Sequence, residues 1–325
     1  MANPLPSAVH IDEALTNYAV GLMNDPSNYI GSTIFPIIPV SKQTDKYWIW
    51  EPGDYLRDGF QVRPPGTESA GIEWSISNTS YECNVYAAHI DESDQLVANA
   101  DFNTEAAIVD VLIENWRQHV EQQVFTQIIA SGLWGTNQTG VASSATTNQF
   151  LQFTASGSDP MATVDFYNDA ILAATGKRGN TVVFGMEAWR AFKRNGAVID
   201  QLKYTDGRVI TTAMAAALLE VDRVLVARGI KATSVKGQTL TKGVIFDDAM
   251  WIGRVEPAAG MKTATAAKIF AWTGLDNSPF GAAAPNVYRI EMPHLRSVRY
   301  EMQFAYDMVI TSTALGKFLT AVATS

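Results

Sequence analysis

The feature that most limits the possible folds is a strictly alternating segment near the C-terminus. From Val298 to Ile310 every even-numbered residue is apolar, and the odd-numbered residues are mostly polar. Such alternation predicts a half-buried antiparallel strand about 43 Å long. A helix is predicted from Thr104 to Ser131, and at 1.5 Å per residue it is about 40 Å long. Because the two elements match in length, we expect this helix, called the spine helix below, to pack along the strand.

The spacing of apolar residues in the spine helix predicts which of its faces is buried. Either Asn103 or Thr104 can cap its first turn. The charged and amide side chains, Glu121 among them, lie largely away from the apolar stripe. The stripe recurs at intervals of three and four residues and consists of Val109, Ile113, Trp116, Val120, Val124 and Ile128.

A second feature is a loop that cannot bury itself. Glu51 to Gly71 contains four glycines, three prolines and six charged residues, with Leu56 and Val62 as its two aliphatic residues. A structureless loop of this length is uncommon inside a compact domain and is usually functional. The flanks, 46–50 and 71–77, are aromatic and β-branched and predict the legs of a long hairpin.

The first 40 residues are predicted to form an extended arm. A short helix is expected near 12–23, and the prolines in 35–40 exclude a central strand there. Like the loop, the arm contains little apolar surface. We therefore expect both segments to remain unpacked on their own subunit and to become ordered on neighbouring ones.

Composition excludes several classes of function. Apolar residues make up 47% of the 325 positions and charged residues 18%, which is typical of a folded chain. The net charge of −9 argues against a strong grip on nucleic acid or on an anionic membrane. Cys83 is the single cysteine, so no internal disulfide can form. No signal peptide or membrane span is recognisable, which predicts a cytoplasmic protein.

The middle of the chain differs in texture from both ends. Residues 132–160 are rich in Ser, Thr, Asn and Gly and mark a candidate boundary. From 162 to 255, helix and strand patterns alternate, as in an α/β domain. Because the C-terminal strand is expected to pack on the spine helix, the chain should leave the first domain near 160 and return near 285. The predicted fold class is α+β.

Candidate catalytic groups are few and weak. The four histidines lack metal-ligand spacing, and residues 175–180 match a phosphate loop poorly and favour a helix end followed by a turn. Asp247 and Asp248 would point to opposite sides of a strand and are better explained by a turn. Trp48, Trp50 and Trp74 are interpreted as anchors of the hairpin base. We predict no catalytic, metal or cofactor site. An α/β hydrolase or transferase using the two aspartates, and a carbohydrate-binding module using the tryptophans, remain alternatives.

Two long runs resemble the major capsid proteins of tailed bacteriophages. The run FPIIPVSKQTDKYWIWEPGDYLRDGFQVRPPGTESAGIEWSIS, followed by the spine helix, resembles their arm, loop and peripheral domain. The run NTVVFGMEAWRAFKRNGAVIDQLKYTDGRVITTAMAAALLEVDRVLVA resembles their axial domain. The resemblance implies the Hong Kong 97-type fold. Its parts would be an N-terminal arm (1–46), an extended-loop hairpin called the E-loop (47–77), a discontinuous peripheral domain (78–160 and 285–325) and an axial domain (161–284).

The resemblance also implies a function. Such proteins form pentamers and hexamers, and these close into an icosahedral shell around packaged double-stranded DNA. The chain would be made in the cytoplasm of a host bacterium, reside in the virion, contact DNA weakly, and have a portal protein, a separate scaffold and a decoration protein as possible partners. A bacterial encapsulin, which encloses a cargo enzyme, is the alternative within the same fold.

On this interpretation the E-loop tip lies across a neighbouring subunit. Aromatic residues and arginine are enriched at interface hot spots. Some relatives weld their subunits through an E-loop lysine, but this chain has no lysine between Tyr47 and Gly176, so we expect no such weld. The expected anchors are Tyr55 and Phe60, and the expected intersubunit charge pairs involve Arg57, Asp58, Arg63 and Glu68.

Overall fold

The computed structural model describes residues 26–50, 54, 56–101, 103–130, 132–203, 210–235, 237–258, 260–274 and 287–323. The helices within these residues are α1 (Gly31–Ile34), α2 (Asp94–Asn99), α3 (Thr104–Ile129), α4 (Pro160–Thr175), α5 (Met186–Arg194), α6 (Gly196–Leu202) and α7 (Thr212–Leu218), with 3-10 turns at Pro26–Asn28, Pro293–Leu295 and Thr313–Leu315. The short helix expected near 12–23 lies outside the described residues.

The strands within the same residues are β1 (Ile37–Val40), β2 (Thr44–Trp50), β3 (Ile76–Glu82), β4 (Asn84–Ser93), β5 (Gln138–Val141), β6 (Gln149–Leu151), β7 (Thr181–Phe184), β8 (Arg223–Val226), β9 (Ile230–Ala232), β10 (Lys242–Val244), β11 (Ala249–Gly253), β12 (Ala267–Trp272), β13 (Val287–Met292), β14 (Ser297–Ile310) and β15 (Gly316–Thr320).

Among the described residues these strands form two main sheets. A five-stranded sheet, called the peripheral sheet, is built on β14, which pairs with β4, β12 and β13, while β1 joins through β12. A six-stranded sheet has the order β6-β5-β15-β11-β7-β8. The pairs β2–β3 and β9–β10 form separate hairpins. Helices and antiparallel pairing together confirm the predicted α+β class.

The alternating segment is confirmed as the strand at the centre of the peripheral sheet. Tyr300, Met302, Phe304 and Tyr306 are buried, and the intervening polar residues are partly exposed. The strand pairs antiparallel with β4 over ten residues, from Ser297↔Ser93 to Tyr306↔Asn84.

The spine helix, α3, packs along this strand as predicted. The side chain of Asn103 caps its first turn by accepting a hydrogen bond from the N–H of Ala106 at 3.1 Å. In the N-terminal half, Leu112 is buried against Tyr300 and Met302 of β14. The C-terminal half enters the main core, where Phe125 stacks on Phe246 with ring centroids 4.7 Å apart. One helix therefore spans the two main sheets.

The expectation that the arm does not pack on its own subunit is wrong for residues 30–40. Ile30, Ile34 and Phe35 are buried in the main core, and Ile38 and Val40 are buried in a second cluster with Tyr47, Tyr81 and Phe270. β1 pairs parallel with β12 at the edge of the sheet. Pro39 has no backbone N–H to donate, and an edge strand tolerates this. The apolar residues of this short segment are enough to fix it.

The middle of the chain alternates helices and strands as predicted, with one difference. The helix expected at 187–202 is two helices, because Asn195 ends α5 and its side chain then caps α6 by accepting from the N–H of Ala197 at 2.9 Å.

The predicted domain limits stay a prediction. Strand pairing nevertheless crosses them, since β12 joins the peripheral sheet and β15 joins the six-stranded sheet.

Candidate assembly surface

The predicted hairpin is present, and two tyrosines hold its base. β2 and β3 pair antiparallel from Thr44↔Glu82 to Trp50↔Ile76. The rings of Tyr47 and Tyr81 lie 5.4 Å and 4.6 Å from the ring of Phe270. Cys83 is fully buried beside them, which fits its interpretation as a small core residue, and burial raises the pKa of its thiol to about 11.

The interpretation of the tryptophans as base anchors is wrong for the two whose side chains are described. Trp48 is 56% exposed and Trp74 is 65% exposed. Alternation along β2 explains the first of these, because Tyr47 faces the core and its neighbour must then face outward. The side chain of Trp50 lies outside the described residues.

Beyond its base the E-loop reaches into solvent. All the described residues from Leu56 to Trp74 are exposed except Gly59. Phe60 is 88% exposed and Val62 is 96% exposed. Phe60 and Val62 therefore present apolar surface to solvent.

The predicted contact residues share this surface. Asp58 accepts a hydrogen bond from the backbone N–H of Phe60 at 3.0 Å, and the guanidinium of Arg63 donates to the carbonyl of Thr67. Arg57 and Glu68 are exposed as well. Tyr55 lies outside the described residues. The role of these residues between subunits stays a prediction.

The returning leg of the loop makes contacts with the outgoing leg. The sequence predicts a strand from Gly71, yet strand β3 begins only at Ile76. The carboxylate of Asp54 accepts hydrogen bonds from the N–H and hydroxyl of Ser75 at 2.6 Å and 2.9 Å, and these bonds lower the pKa of Asp54. Ile72 lies over Gly59, where a Cβ would be only 2.7 Å from the Ile72 side chain.

A groove lies between the spine helix and the peripheral sheet. Its volume is about 380 Å³. Leu112 and Trp116 line it from the helix, and Tyr86, Met302 and Phe304 line it from the sheet. Its rim is formed by amides and by His119, whose Nε2 lies 2.7 Å from the Tyr306 hydroxyl. Burial lowers the pKa of His119.

Glu121, which the periodicity places away from the apolar stripe, is nevertheless in the core. Its side chain is buried, with 1% of its surface exposed. Its carboxylate accepts the backbone N–H groups of Ile30 at 3.2 Å and Gly31 at 2.6 Å, and so caps α1 in the arm. A Cβ at Gly31 would lie 2.8 Å from Oε2 of Glu121, so the close approach requires glycine. Burial raises the pKa of Glu121 to about 7, although the two hydrogen bonds oppose that shift.

Further contacts fix the arm around this carboxyl. The hydroxyl of Tyr29 donates to Glu114, and the guanidinium of Arg223 donates to the carbonyl of Thr33 at 3.2 Å. Arg223 reaches the arm from β8, so the arm is attached both to the spine helix and to the six-stranded sheet. Sequence periodicity could not identify Glu121, because its partners are backbone groups 90 residues away.

Known proteins resemble this chain in sequence and in structure. No family model matches it. The major capsid protein of Burkholderia phage BcepMu is 25% identical over 231 residues, which are 68% of this chain and 70% of that protein. A phage-related protein from Bordetella bronchiseptica RB50 has a TM-score of 0.68 at 19% identity, covering 96% of this chain and 97% of that one. The capsid protein of cyanophage P-SCSP1u has a TM-score of 0.56 at 10% identity, covering 90% and 87%.

The chain has the Hong Kong 97-type capsid fold. The resemblance found in the sequence to the major capsid proteins of tailed phages is thereby confirmed. The SrpI encapsulin of Synechococcus elongatus PCC 7942 shares the fold, with a TM-score of 0.52 at 11% identity over 96% of both chains. The capsid fold alone does not separate the two functions.

The acidic pair considered for catalysis is used to hold the capsid fold together. Asp247 accepts the N–H of Glu187 at 3.1 Å, and Asp248 accepts the N–H of Ala323 at 2.6 Å. The two carboxylates lie in a bend between β10 and β11, as the turn interpretation predicts. Burial raises the pKa of Asp248. The part of the chain that the structure describes contains no cluster of three potential metal ligands and no helix able to cross a membrane.

Proposed function

We propose that this chain is the major capsid protein of a tailed bacteriophage and acts structurally, without catalysis. The observation that carries the proposal is the relative from Burkholderia phage BcepMu, which is itself a major capsid protein and aligns with two thirds of the chain. The capsid fold extends over nearly all of the chain, and the candidate acids bind backbone groups. Copies of the chain would assemble as pentamers and hexamers into an icosahedral shell in the virion.

The E-loop is the proposed contact between subunits. Phe60 and Val62 are almost fully exposed on the isolated chain, so a neighbour that covers them gains about 25 cal/mol for each Å² of apolar surface removed from water. Arg57, Asp58, Arg63 and Glu68 would set the register, because complementary charges at an interface give specificity more than affinity. Tyr55 is proposed as a second aromatic anchor.

The packaged double-stranded DNA is proposed to be a weakly held cargo. A net charge of −9 gives the chain few cations to replace the counterions of the phosphates. Assembly would take place in the bacterial cytoplasm. A portal protein is the expected partner at one vertex, and a separate scaffold and a decoration protein are further proposed partners.

Electron microscopy of the expressed protein tests the proposal. Closed icosahedral shells or free capsomers are expected. A protein that stays monomeric under all assembly conditions would contradict the capsid function. An encapsulin is the second candidate, because one shares the fold over 96% of this chain. Small, uniform particles that lack a portal vertex and contain a copurifying enzyme would favour that candidate.

A further inference from the structure

The β9–β10 hairpin concentrates positive charge in a chain that is otherwise acidic. From residue 223 to residue 246 the sequence contains no aspartate and no glutamate. The same stretch contains five cationic residues, which are Arg223, Arg228, Lys231, Lys236 and Lys242. Because the whole chain has 24 cationic and 33 acidic residues, the rest of it has a net charge of −14. The hairpin is therefore a local exception to the acidity of the protein.

The hairpin is fixed at its base and exposed beyond it. At the base, the N–H of Ile245 donates to the carbonyl of Gly229 at 3.0 Å. The side-chain amide of Gln118 in the spine helix donates to the carbonyl of Ile230, also at 3.0 Å. All but one of the described residues from 232 to 242 are exposed. The spine helix and the six-stranded sheet thus hold a ribbon whose far part faces solvent.

The cations of this ribbon are unpaired and lie on both of its faces. Arg228 and Lys242 are exposed and Lys231 is half-buried. None of the three takes part in an ion pair within the described part of the chain. Lys242 pairs with Ala232, and Gly243 pairs with Lys231. Since neighbouring residues of a strand face opposite sides, the two lysines lie on opposite faces.

The side chains between the lysines are mostly small and polar. The hydroxyl oxygens of Thr233 and Thr241 are 2.8 Å apart, and the hydroxyl of Ser234 accepts the N–H of Thr241 at 3.1 Å. These bonds hold the two strands together. Gln238 and Thr239 follow and are exposed. Lysine and arginine together with serine, threonine and glutamine are the residues that contact the sugar-phosphate backbone of DNA.

We propose that the β9–β10 hairpin is the surface through which each copy contacts the phosphates of packaged duplex DNA, with Arg228, Lys231 and Lys242 as its cations. An acidic surface of a second copy is the competing partner. A protein neighbour would cover one face of the ribbon and leave the lysine of the other face unpaired. Phosphates border a groove of DNA on both sides, and such a groove can admit a two-stranded ribbon. The inference rests on the proposed function, because it names the residues that touch the cargo of the shell.

The number of cations agrees with a weak contact. Three phosphate contacts predict that the logarithm of the binding constant falls with the logarithm of the salt concentration with a slope of about −2.7. A single subunit therefore binds DNA weakly, and its net charge of −9 opposes binding further. In a shell, many copies face the same DNA molecule, so their small contributions act together.

Salt-dependent binding of a short labelled duplex of random sequence to the unassembled subunit tests the contact. Lys231→Gln with Lys242→Gln should reduce the slope by about 1.8 and weaken binding at about 50 mM salt by about a hundredfold. Arg190→Gln with Arg194→Gln is the matched control, since it removes the same charge from a recess beside α5 that also contains Glu187. The control should keep the slope of the parent.

Photochemical cross-linking locates the DNA without removing any charge. Thr239→Cys is labelled with a thiol-reactive aryl azide and irradiated with the same duplex. Cys83 is fully buried and burial raises the pKa of its thiol to about 11, so it takes up little label. Thr154→Cys is the control, because Thr154 is exposed at the recess beside α5. Severalfold more DNA should be attached at Thr239→Cys than at the control.

The outcomes separate this contact from the proposed function. Equal attachment at the two positions, equal slopes for the two double variants, or no binding by the parent at about 50 mM salt overturns the inference. Each of these results leaves the shell function intact, because microscopy tests that function separately. Loss of shells by the lysine variant with an unchanged slope would identify a second copy as the partner and also overturn it. A parent that forms no shells contradicts the proposed function, and the contact with packaged DNA fails with it.

Discussion

Replacing Glu121 with glutamine should remove a large part of the pH dependence of folding. The carboxyl is buried, and this burial raises its pKa from the usual 4.5 to about 7. An amide cannot ionise, but it has a single oxygen, so it can keep the hydrogen bond from Gly31 and must give up the one from Ile30. The lost hydrogen bond lowers stability by the same amount at every pH, so the change in pH dependence of Glu121→Gln still reports the charge.

The direction of the effect follows from which state holds the proton. Between pH 4.5 and about 7 the folded chain keeps Glu121 protonated while the unfolded chain releases that proton. Unfolding is then favoured as the pH rises. The contribution of this group is fully present below pH 4.5 and is lost as the pH rises through the folded pKa. A shift of this size corresponds to about 3 kcal/mol in the free energy of unfolding.

Urea titration of the unassembled subunit at pH 5 and at pH 8 measures the effect. The parent should lose about 2.5 kcal/mol more stability than Glu121→Gln over this interval, because the unfolded carboxyl is already largely ionised at pH 5. Glu105→Gln is the matched control, because Glu105 is an exposed residue in the first turn of the same helix, and it should retain the pH dependence of the parent. Parallel pH profiles for the parent and Glu121→Gln would refute the reasoning.

A local readout identifies where the stability is lost. Hydrogen exchange of residues 26–35 reports whether the arm leaves the spine helix. In the parent these amides should exchange faster at pH 8 than expected from the intrinsic pH dependence of exchange, and Glu121→Gln should remove that excess. Loss of protection spread evenly over the six-stranded sheet would show that Glu121 does not act through the arm.

Three further predictions concern the shell. Arg57→Glu with Arg63→Glu should leave the subunit folded, because exposed charges contribute little to stability, and should reduce the yield of particles seen by microscopy; normal yield would show that these charges are passive. Amides of 56–75 should exchange at least about tenfold more slowly in particles than in free subunits, and equal rates would exclude burial of the loop. Boiled particles should give one band near 35.4 kDa with or without reductant, and a ladder would reveal a covalent weld.

The long elements could be predicted from the sequence because their signals are repeated many times. Thirteen alternating residues identify β14, and six residues of the stripe identify the spine helix. Each apolar position supports the same sequence period, so one residue that breaks the pattern does not change the predicted element. The exposure of the E-loop tip can be predicted from the absence of such a pattern, because its glycines, prolines and charged residues cannot form a core.

The errors arose where single long-range contacts decide the structure. Nothing near Glu121 in the sequence distinguishes it from its exposed neighbours on the helix; its burial depends on the arm, whose N–H groups meet it across the fold. The position of Trp48 beside a long hairpin predicts an anchor at its base, whereas the alternation of β2 places Tyr47 there. The low apolar content of the arm predicts that it does not pack, although Ile34 and Phe35 are fully buried. Composition averaged over a segment does not show where its few apolar residues lie.

Polarity is inverted at Glu121, where a carboxyl is buried, and on the E-loop, where apolar side chains are exposed. A carboxyl occurs inside the core at Glu121, where desolvation is unfavourable unless donors meet it, and the arm supplies them within the same chain. Ile72 and Trp74 lie outside on the E-loop, where their apolar surface stays in water until another surface covers it. The first inversion is resolved within the folded subunit. The surface of Ile72 and Trp74 stays exposed in the described part of the subunit, and the proposed assembly would bury it.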